Sequence, residues 1–191
     1  CLNWGCIPTK TLIASAERYH HAAHSEAYGI TAKSVSFDYA KMTARKAEIV
    51  SKLSGGVQML LKSNGVEIVK GAARFEGPNR LSVVQPDGAT RWLSAASIII
   101  AAGSDSAMPG FLPKDKRVMD SRAFLDLTDL PKNLLILGGG VIGCEFACMA
   151  AALGSKVTVV EMLEDIVMVL DRDVRRVLRK RMESLGITIL T

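Results

Sequence analysis

Two periodicities divide the chain. Over residues 8–28 and 38–65 apolar positions recur every three to four residues, the pattern of helices with one buried stripe. Gly29 follows the first as a C-cap, Asp38 precedes the second as an N-cap, and Asn64-Gly65 ends it. Gly55 and Gly56 fall inside the second helix, where they weaken helicity and where the pattern offers no reason for them. Then the period shortens. Segments 66–77, 80–88 and 90–104 are short apolar runs separated by turn residues such as Pro86-Asp87-Gly88. They predict a small antiparallel meander ending in a buried strand over 98–101. A Pro/Gly/Lys-rich link over 106–117 reads as a crossing between domains. From residue 134 the order is strand, helix, strand, helix, strand, which is a parallel α/β unit. The fold class is therefore α/β, with no fixed-period repeat and no low-complexity tract.

Composition narrows the function classes. Of 191 residues, 49% are hydrophobic and 23% charged, ordinary globular usage for a chain long enough to bury a core. The net charge of +5 is mild, aromatics are 5%, and no Lys/Arg block is present, so nucleic acid is not expected as a partner. The most basic run, Arg172 to Arg181, carries Val174, Val177 and Leu178 at helical spacing and predicts an amphipathic helix with a solvated basic face. No apolar run reaches the length of a membrane span and no signal peptide stands at the start. The first residue is Cys and the last residues form an unclosed strand, so the chain reads as a piece of something longer. Four cysteines are too few for a disulfide-stapled secreted scaffold. A reducing compartment, the cytoplasm or a mitochondrial matrix, is expected.

The residues that carry chemistry start with "LLILGGGVIGCE". Gly138, Gly140 and Gly143 have G-x-G-x-x-G spacing between an apolar strand and a helix predicted to be amphipathic. The first glycine allows the turn out of the strand, the second lets a pyrophosphate approach the backbone, and the third lets the helix pack on the sheet. Free amides of Val141 and Ile142 and the helix dipole then hold the phosphates. The next strand ends in Glu161, 18 residues after Gly143 and 23 after Gly138, around the spacing of about twenty expected for a ribose-binding acid. Such a carboxylate accepts from the ribose hydroxyls and repels a 2′-phosphate. Met162, Leu163 and Glu164 follow without an arginine, so NAD is expected over NADP.

Cys1 and Cys6 lack the C-x2-C spacing of a zinc site, and no second pair stands at matching distance. Cys144 and Cys148 lie four apart on a predicted helix and read as core residues. His20, His21 and His24 read as a solvated or half-buried helix face. No metal site is expected. On one continuous helix Cys1 and Cys6 stand too far apart to bridge. Pro8 places the helix start near residue 7 or 8, so that residues 1–5 can fold back and bring the sulfurs together. Cys6 then sits at the helix N-terminus, where the dipole favours a thiolate. A bridge over so short a loop adds little stability through chain entropy and makes more sense as a redox couple.

The segment "CLNWGCIPTKTLIASAE" resembles the redox-active segment of the flavin-dependent pyridine nucleotide–disulfide oxidoreductases, most closely those that oxidise dihydrolipoamide. The similarity continues through "KLSGGVQMLLKSNGVEIVKGAARF", "IIIAAGS" and "LLILGGGVIGCEFACMAAALGSKVTVVEM", in the family's order. It implies that residues 1–118 are part of an FAD-binding domain and 119–191 the first half of a Rossmann-like NAD-binding domain. By resemblance Cys1 is the thiol that exchanges with substrate, and Cys6 faces the flavin as the charge-transfer thiolate. Lys10 matches a lysine near the flavin N5, and Glu145, otherwise an odd charge in an apolar helix, the acid that pairs with it. Ala102 and Gly103 end the family's "ATG" strand near the flavin, with Ala102 replacing its threonine.

The resemblance further implies FAD and NAD as cofactors, a lipoyl domain of a 2-oxo acid dehydrogenase or related complex as partner, and a homodimer in the full-length form. The family's first G-x-G-x-x-G, the segment closing the NAD domain, and the interface domain with its His–Glu base lie outside this chain. None of the three histidines takes that role, and the isolated chain is expected to be inactive. Two other readings stay open: another substrate within the family, mercuric ion or glutathione, and a non-catalytic nucleotide-binding module.

Overall fold

The computed structural model describes all 191 residues. Two compact units partition the chain: Cys1–Lys52 with Gly110–Thr191, and Leu53–Pro109. No helix is long and apolar enough to cross a membrane.

In the first unit α1 spans Cys6–Ala23, and a 3-10 turn over Ser25–Tyr28 ends at Gly29, whose φ of 75° makes it the expected cap. The single helix expected over 8–28 is thus broken at His24. The Ser25 hydroxyl donates to the carbonyls of Ala22 and Ile30, a local alternative to helix continuation. Helix α2, Tyr39–Ser63, starts after Asp38, whose Oδ1 accepts from Lys41 N–H at 3.0 Å. It passes through Gly55 and Gly56 without interruption, and nothing in the structure explains glycine there.

A short helix not foreseen from periodicity, α3 (Ser121–Leu125), is capped by Asp120, which accepts from Ala123 N–H at 2.8 Å. The parallel unit follows as expected. Strands β4 (Asn133–Leu137), β5 (Lys156–Val160) and β6 (Thr188–Leu190) pair in that order, with β5 central. Helices α4 (Val141–Ala152) and α5 (Arg172–Ser184) make the crossovers.

Helix α4 is not amphipathic, contrary to the expectation. Cys144, Ala147 and Ala150 pack into the core formed with the sheet and Met182, while Phe146, Met149 and Leu153 pack against Leu12, Ala16, Phe124 and Leu125. A helix covered on opposite sides must be apolar nearly all round, which erases its period. Helix α5 also departs from its predicted stripe. Val174 and Val177 are exposed, and the inward positions are Arg175, Leu178, Arg179 and Met182.

Lys46 is buried between α2 and α3, donating to the Leu125 carbonyl at 2.7 Å and to Asp126 Oδ1 at 2.9 Å. Asp126 itself is largely exposed. Lys46→Met should therefore lower stability by about 1–3 kcal/mol, because it leaves a carbonyl without its donor, whereas Asp126→Asn should cost less than about 1 kcal/mol. Urea unfolding of the two variants checks the contrast.

The second unit is built around an antiparallel sheet, β1 (Ala72–Gly77), β2 (Arg80–Val84) and β3 (Thr90–Ser94). The turn at residues 85–89 forms as predicted, with Gly88 at φ 83° and Gly88 N–H donating to Gln85. Strand β1 begins only at Ala72, because 66–70 form no ladder with a neighbouring strand. The buried strand expected over 98–101 is absent: the segment is irregular, and Ile99 and Ile100 are exposed. Apolar runs mark the capacity to be a strand, but a strand exists only where a neighbour supplies the ladder, and no strand of this chain pairs with it.

Candidate functional site

The N-terminal turn brings Cys1 and Cys6 into a disulfide, with Cα atoms 4.5 Å apart. Helix α1 starts at Cys6, and Ile7 N–H donates back to the Cys1 carbonyl at 3.1 Å, closing residues 1–5 as a loop. No side chain caps this helix end; with Ile7 N–H taken by the Cys1 carbonyl and Pro8 lacking an N–H, the Cys6 N–H and the helix dipole are what this end presents to the bridge. Trp4, inside the loop, stacks under the Arg122 guanidinium of α3 at 4.1 Å, which ties the loop to the first unit's core. Both cysteines are exposed to solvent.

One turn further along α1, Lys10 Nζ forms an ion pair with Glu145 Oε1 of α4. The partners are 135 residues apart in sequence. Thr9 and Thr11, buried beside Lys10, donate to the carbonyls of Gly5 and Ile7 at 2.7 and 2.8 Å and so hide their hydroxyls within the helix. The other two thiols are of a different kind. Burial, with Cys148 and two carboxylates adding to it, pushes Cys144 up to about 11, and burial likewise raises Cys148.

The glycine loop lies at the other end of α4's first turn. Gly138 has φ 106°, open to glycine only at low strain. Gly143 sits so close to the loop that an added Cβ would fall 2.1 Å from the Gly138 carbonyl oxygen. A Cβ on Gly140 would meet nothing within 4 Å, so the face where a pyrophosphate would approach is open. No side chain caps α4 and no acid lies in its first turn. The donors of Val141 and Ile142, in this exposed first turn, thus suit a dinucleotide pyrophosphate on the geometry of this chain alone.

Glu161 follows β5 and reaches back to this loop. Its Oε2 accepts from Gly139 N–H at 2.6 Å and its Oε1 from Leu163 N–H at 2.9 Å. These backbone donors, Leu163 first and then Gly139, hold the carboxyl below its ordinary value against a smaller opposing effect of burial. A depressed carboxylate stabilises the fold fully above its unfolded value and stops doing so as pH falls through the folded one, so this link loosens in acid. Gly139 was not distinguished by motif spacing. A Cβ there would come 2.7 Å from Ile166 Cγ2 and 3.2 Å from Glu161 Cβ, and the middle glycine of the G-G-G run is the signal that could have found it.

Cys1, Cys6, Lys10, Glu145, Gly138, Gly140, Val141, Ile142, Gly143 and Glu161 all belong to the first unit. Ala102 and Gly103 belong to the second, in an exposed irregular segment with Gly103 at φ 79°.

A disulfide at one helix N-terminus, a glycine loop at another, and an ion pair joining the two helices define a class: nucleotide-linked disulfide oxidoreductases built on a Rossmann-like parallel sheet. Comparison with known proteins agrees. The family model described as pyridine nucleotide-disulphide oxidoreductase matches residues 1–191, and the chain belongs to that family. The dihydrolipoyl dehydrogenase of Chlorobaculum tepidum is 40% identical over 190 residues, which is 99% of this chain and 40% of that protein. Leghemoglobin reductase of Vigna unguiculata is 43% identical over 188 residues, 97% of this chain and 36% of its own length. Among solved structures, LpdA from Mycobacterium tuberculosis superposes with a TM-score of 0.87 at 26% identity, covering 99% of this chain and 42% of that one. The HOCl-induced flavoprotein disulfide reductase RclA from Escherichia coli does so with a TM-score of 0.81 at 30% identity, covering 100% and 40%. The chain thus spans about two fifths of the length of the relatives it matches.

Proposed function

We propose that the protein containing this chain oxidises dihydrolipoamide with NAD, using Cys1–Cys6 as its redox disulfide and FAD between disulfide and nucleotide. The observation that carries the reading is the Lys10–Glu145 ion pair, because it joins the disulfide helix to the nucleotide helix. A nucleotide-binding module with inert cysteines leaves that pair, the disulfide and the glycine loop unrelated.

The chemistry at the thiols follows from exchange. A thiolate of dihydrolipoamide attacks Sγ of Cys1, the Cys1–Cys6 bond breaks, and Cys6 departs as a thiolate stabilised by the N-terminus of α1. The second substrate sulfur then attacks its neighbour in the mixed disulfide, closing the lipoamide ring and releasing Cys1. One substrate proton ends on Cys1. The other leaves to the base that the family resemblance assigns to the partner subunit. The electron pair now resides on the two cysteines. Bound FAD and NAD supply the route by which it leaves as hydride. Lys10, oriented by Glu145, would face the flavin. Residues 138–143 would hold the NAD pyrophosphate, and Glu161 would meet the ribose. The domain boundary near residue 118, a lipoyl-bearing partner and a homodimer belong to the same proposal.

The test is turnover of the whole protein, read as NADH formation from dihydrolipoamide. We expect NAD to exceed NADP by at least about tenfold in kcat/KM, because a carboxylate opposes the 2′-phosphate. Turnover of glutathione disulfide or mercuric ion, without dihydrolipoamide activity, would move the protein to another branch of the family. Failure to bind NAD, together with slow, ordinary thiols after reduction, would leave only a module.

A further inference from the structure

We infer that Asp165 is a positioning residue for the dinucleotide site: by tying the loop after β5 to α5, it makes that loop grip Gly139 of the glycine turn. The inference rests on the proposed reading of residues 138–143 as the NAD site.

Both backbone polar groups of Gly139 are held from this loop. Glu161 Oε2 takes its N–H at 2.6 Å, and Val167 N–H donates to its carbonyl at 2.8 Å. The Cys144 thiol adds a weaker donor to the same carbonyl at 3.4 Å. Gly138 N–H is taken by Val160 at 2.8 Å. The peptide path on which a pyrophosphate would settle is therefore fixed by residues 22 to 28 positions away in sequence, not by the turn alone.

The loop has no regular structure to hold its own shape between β5 and α5. Ile166 and Val167 are both buried, and Val167 has φ 41°, a left-handed conformation unfavourable for a β-branched residue. Such a conformation persists only where the surroundings over-determine it. Asp165 supplies that constraint. Its Oδ1 accepts from Ile166 N–H at 2.9 Å and from Arg179 Nε at 2.8 Å, and its Oδ2 accepts from Arg175 Nη1 at 3.4 Å. Arg175 Nη1 also lies 2.8 Å from Met168 Sδ, on the far side of Val167. Two inward-turned arginines of α5 thus clasp the loop on both sides of the residue that reaches Gly139. This explains why α5 turns Arg175 and Arg179 inward while leaving two valines in solvent.

The experiment compares Asp165→Asn and Arg179→Gln with the unaltered chain, by amide hydrogen exchange without ligand and by NAD titration. A positioning role predicts that Gly139 and Val167 amides exchange at least about tenfold faster in both variants, while Val157 and Val159 of the central strand keep their protection. NAD affinity should then fall about tenfold, the size expected from losing one well-placed charged hydrogen bond. A merely structural role predicts faster exchange spread evenly over the unit, central strand included, with NAD affinity unchanged once the folded fraction is allowed for. That result overturns the inference. If Asp165→Asn does not fold, Arg179→Gln, which removes one of the two clasping arginines, decides on the same readouts. If the unaltered chain binds no NAD, the site reading fails by itself, and the exchange at Gly139 still decides whether Asp165 controls the turn.

Discussion

Gly143→Ala will cost the protein both stability and its dinucleotide, whereas Gly140→Ala will cost only the dinucleotide. At Gly143 the new methyl would stand 2.1 Å from the Gly138 carbonyl oxygen and 3.2 Å from Ile136 Cγ2, so α4 must move off β4 or the turn must open. Overpacking of this kind costs about 1–3 kcal/mol, and more where the obstacle is backbone. A displacement of about 1 Å at a binding turn is worth on the order of a hundredfold in function. At Gly140 the methyl points into open space, so the fold tolerates it. It occupies the side from which a pyrophosphate approaches, and binding is lost without unfolding. Thermal melts and NAD titrations on the two variants give the comparison. Equal stability losses would mean that Gly143 is not the packing glycine, and full NAD affinity in Gly140→Ala would remove the loop from the nucleotide site.

The second large effect concerns the thiols. Cys1→Ser or Cys6→Ser in the whole protein should lower dihydrolipoamide turnover by about a thousandfold or more, since a hydroxyl neither exchanges with disulfides nor leaves as sulfur does. The selectivity of the pair can be read independently in this chain after reduction. Cys6, at an uncapped helix N-terminus, should alkylate first near neutral pH. Cys144, pushed up to about 11 by burial, and Cys148, raised by the same cause, should stay unlabelled until the fold is opened. Mass mapping of the label at short times checks the order. A serine variant that keeps its rate within tenfold, or a Cys144 that labels as fast as Cys6, would contradict a working Cys1–Cys6 couple.

Why some elements were legible and others not has a physical basis. The α/β order from residue 134 was readable because strands β4 and β5 are apolar, bounded by turn glycines, and followed by an acid at the right distance. The loop that lets Cys1 meet Cys6 was readable from Pro8, whose backbone demands are local. The break at His24 is not legible in the apolar period, because the Ser25 hydroxyl ends the helix through bonds to the Ala22 and Ile30 carbonyls that hydrophobic spacing does not encode. The segment 98–101 read as a strand because apolarity is encoded locally while a hydrogen-bonded neighbour is not. Lys10 and Glu145 were paired by family resemblance, and neither residue's surroundings in sequence suggested the other.

By itself, then, the sequence determined what depends on neighbours along the chain: the cysteine loop, the glycine turn, its acid, and the parallel α/β order. Tertiary structure alone decided what depends on neighbours across it. It covered α4 on opposite sides and so removed its period, buried Lys46 against Leu125 O, and turned Arg175 and Arg179 inward onto Asp165. It also placed Val167 and Glu161 on the two polar groups of Gly139. The reason is the same in each case. A side chain's charge and shape are fixed by its identity, but burial, a donor for its oxygen or a partner for its charge arises only when packing brings a distant residue within a few ångströms.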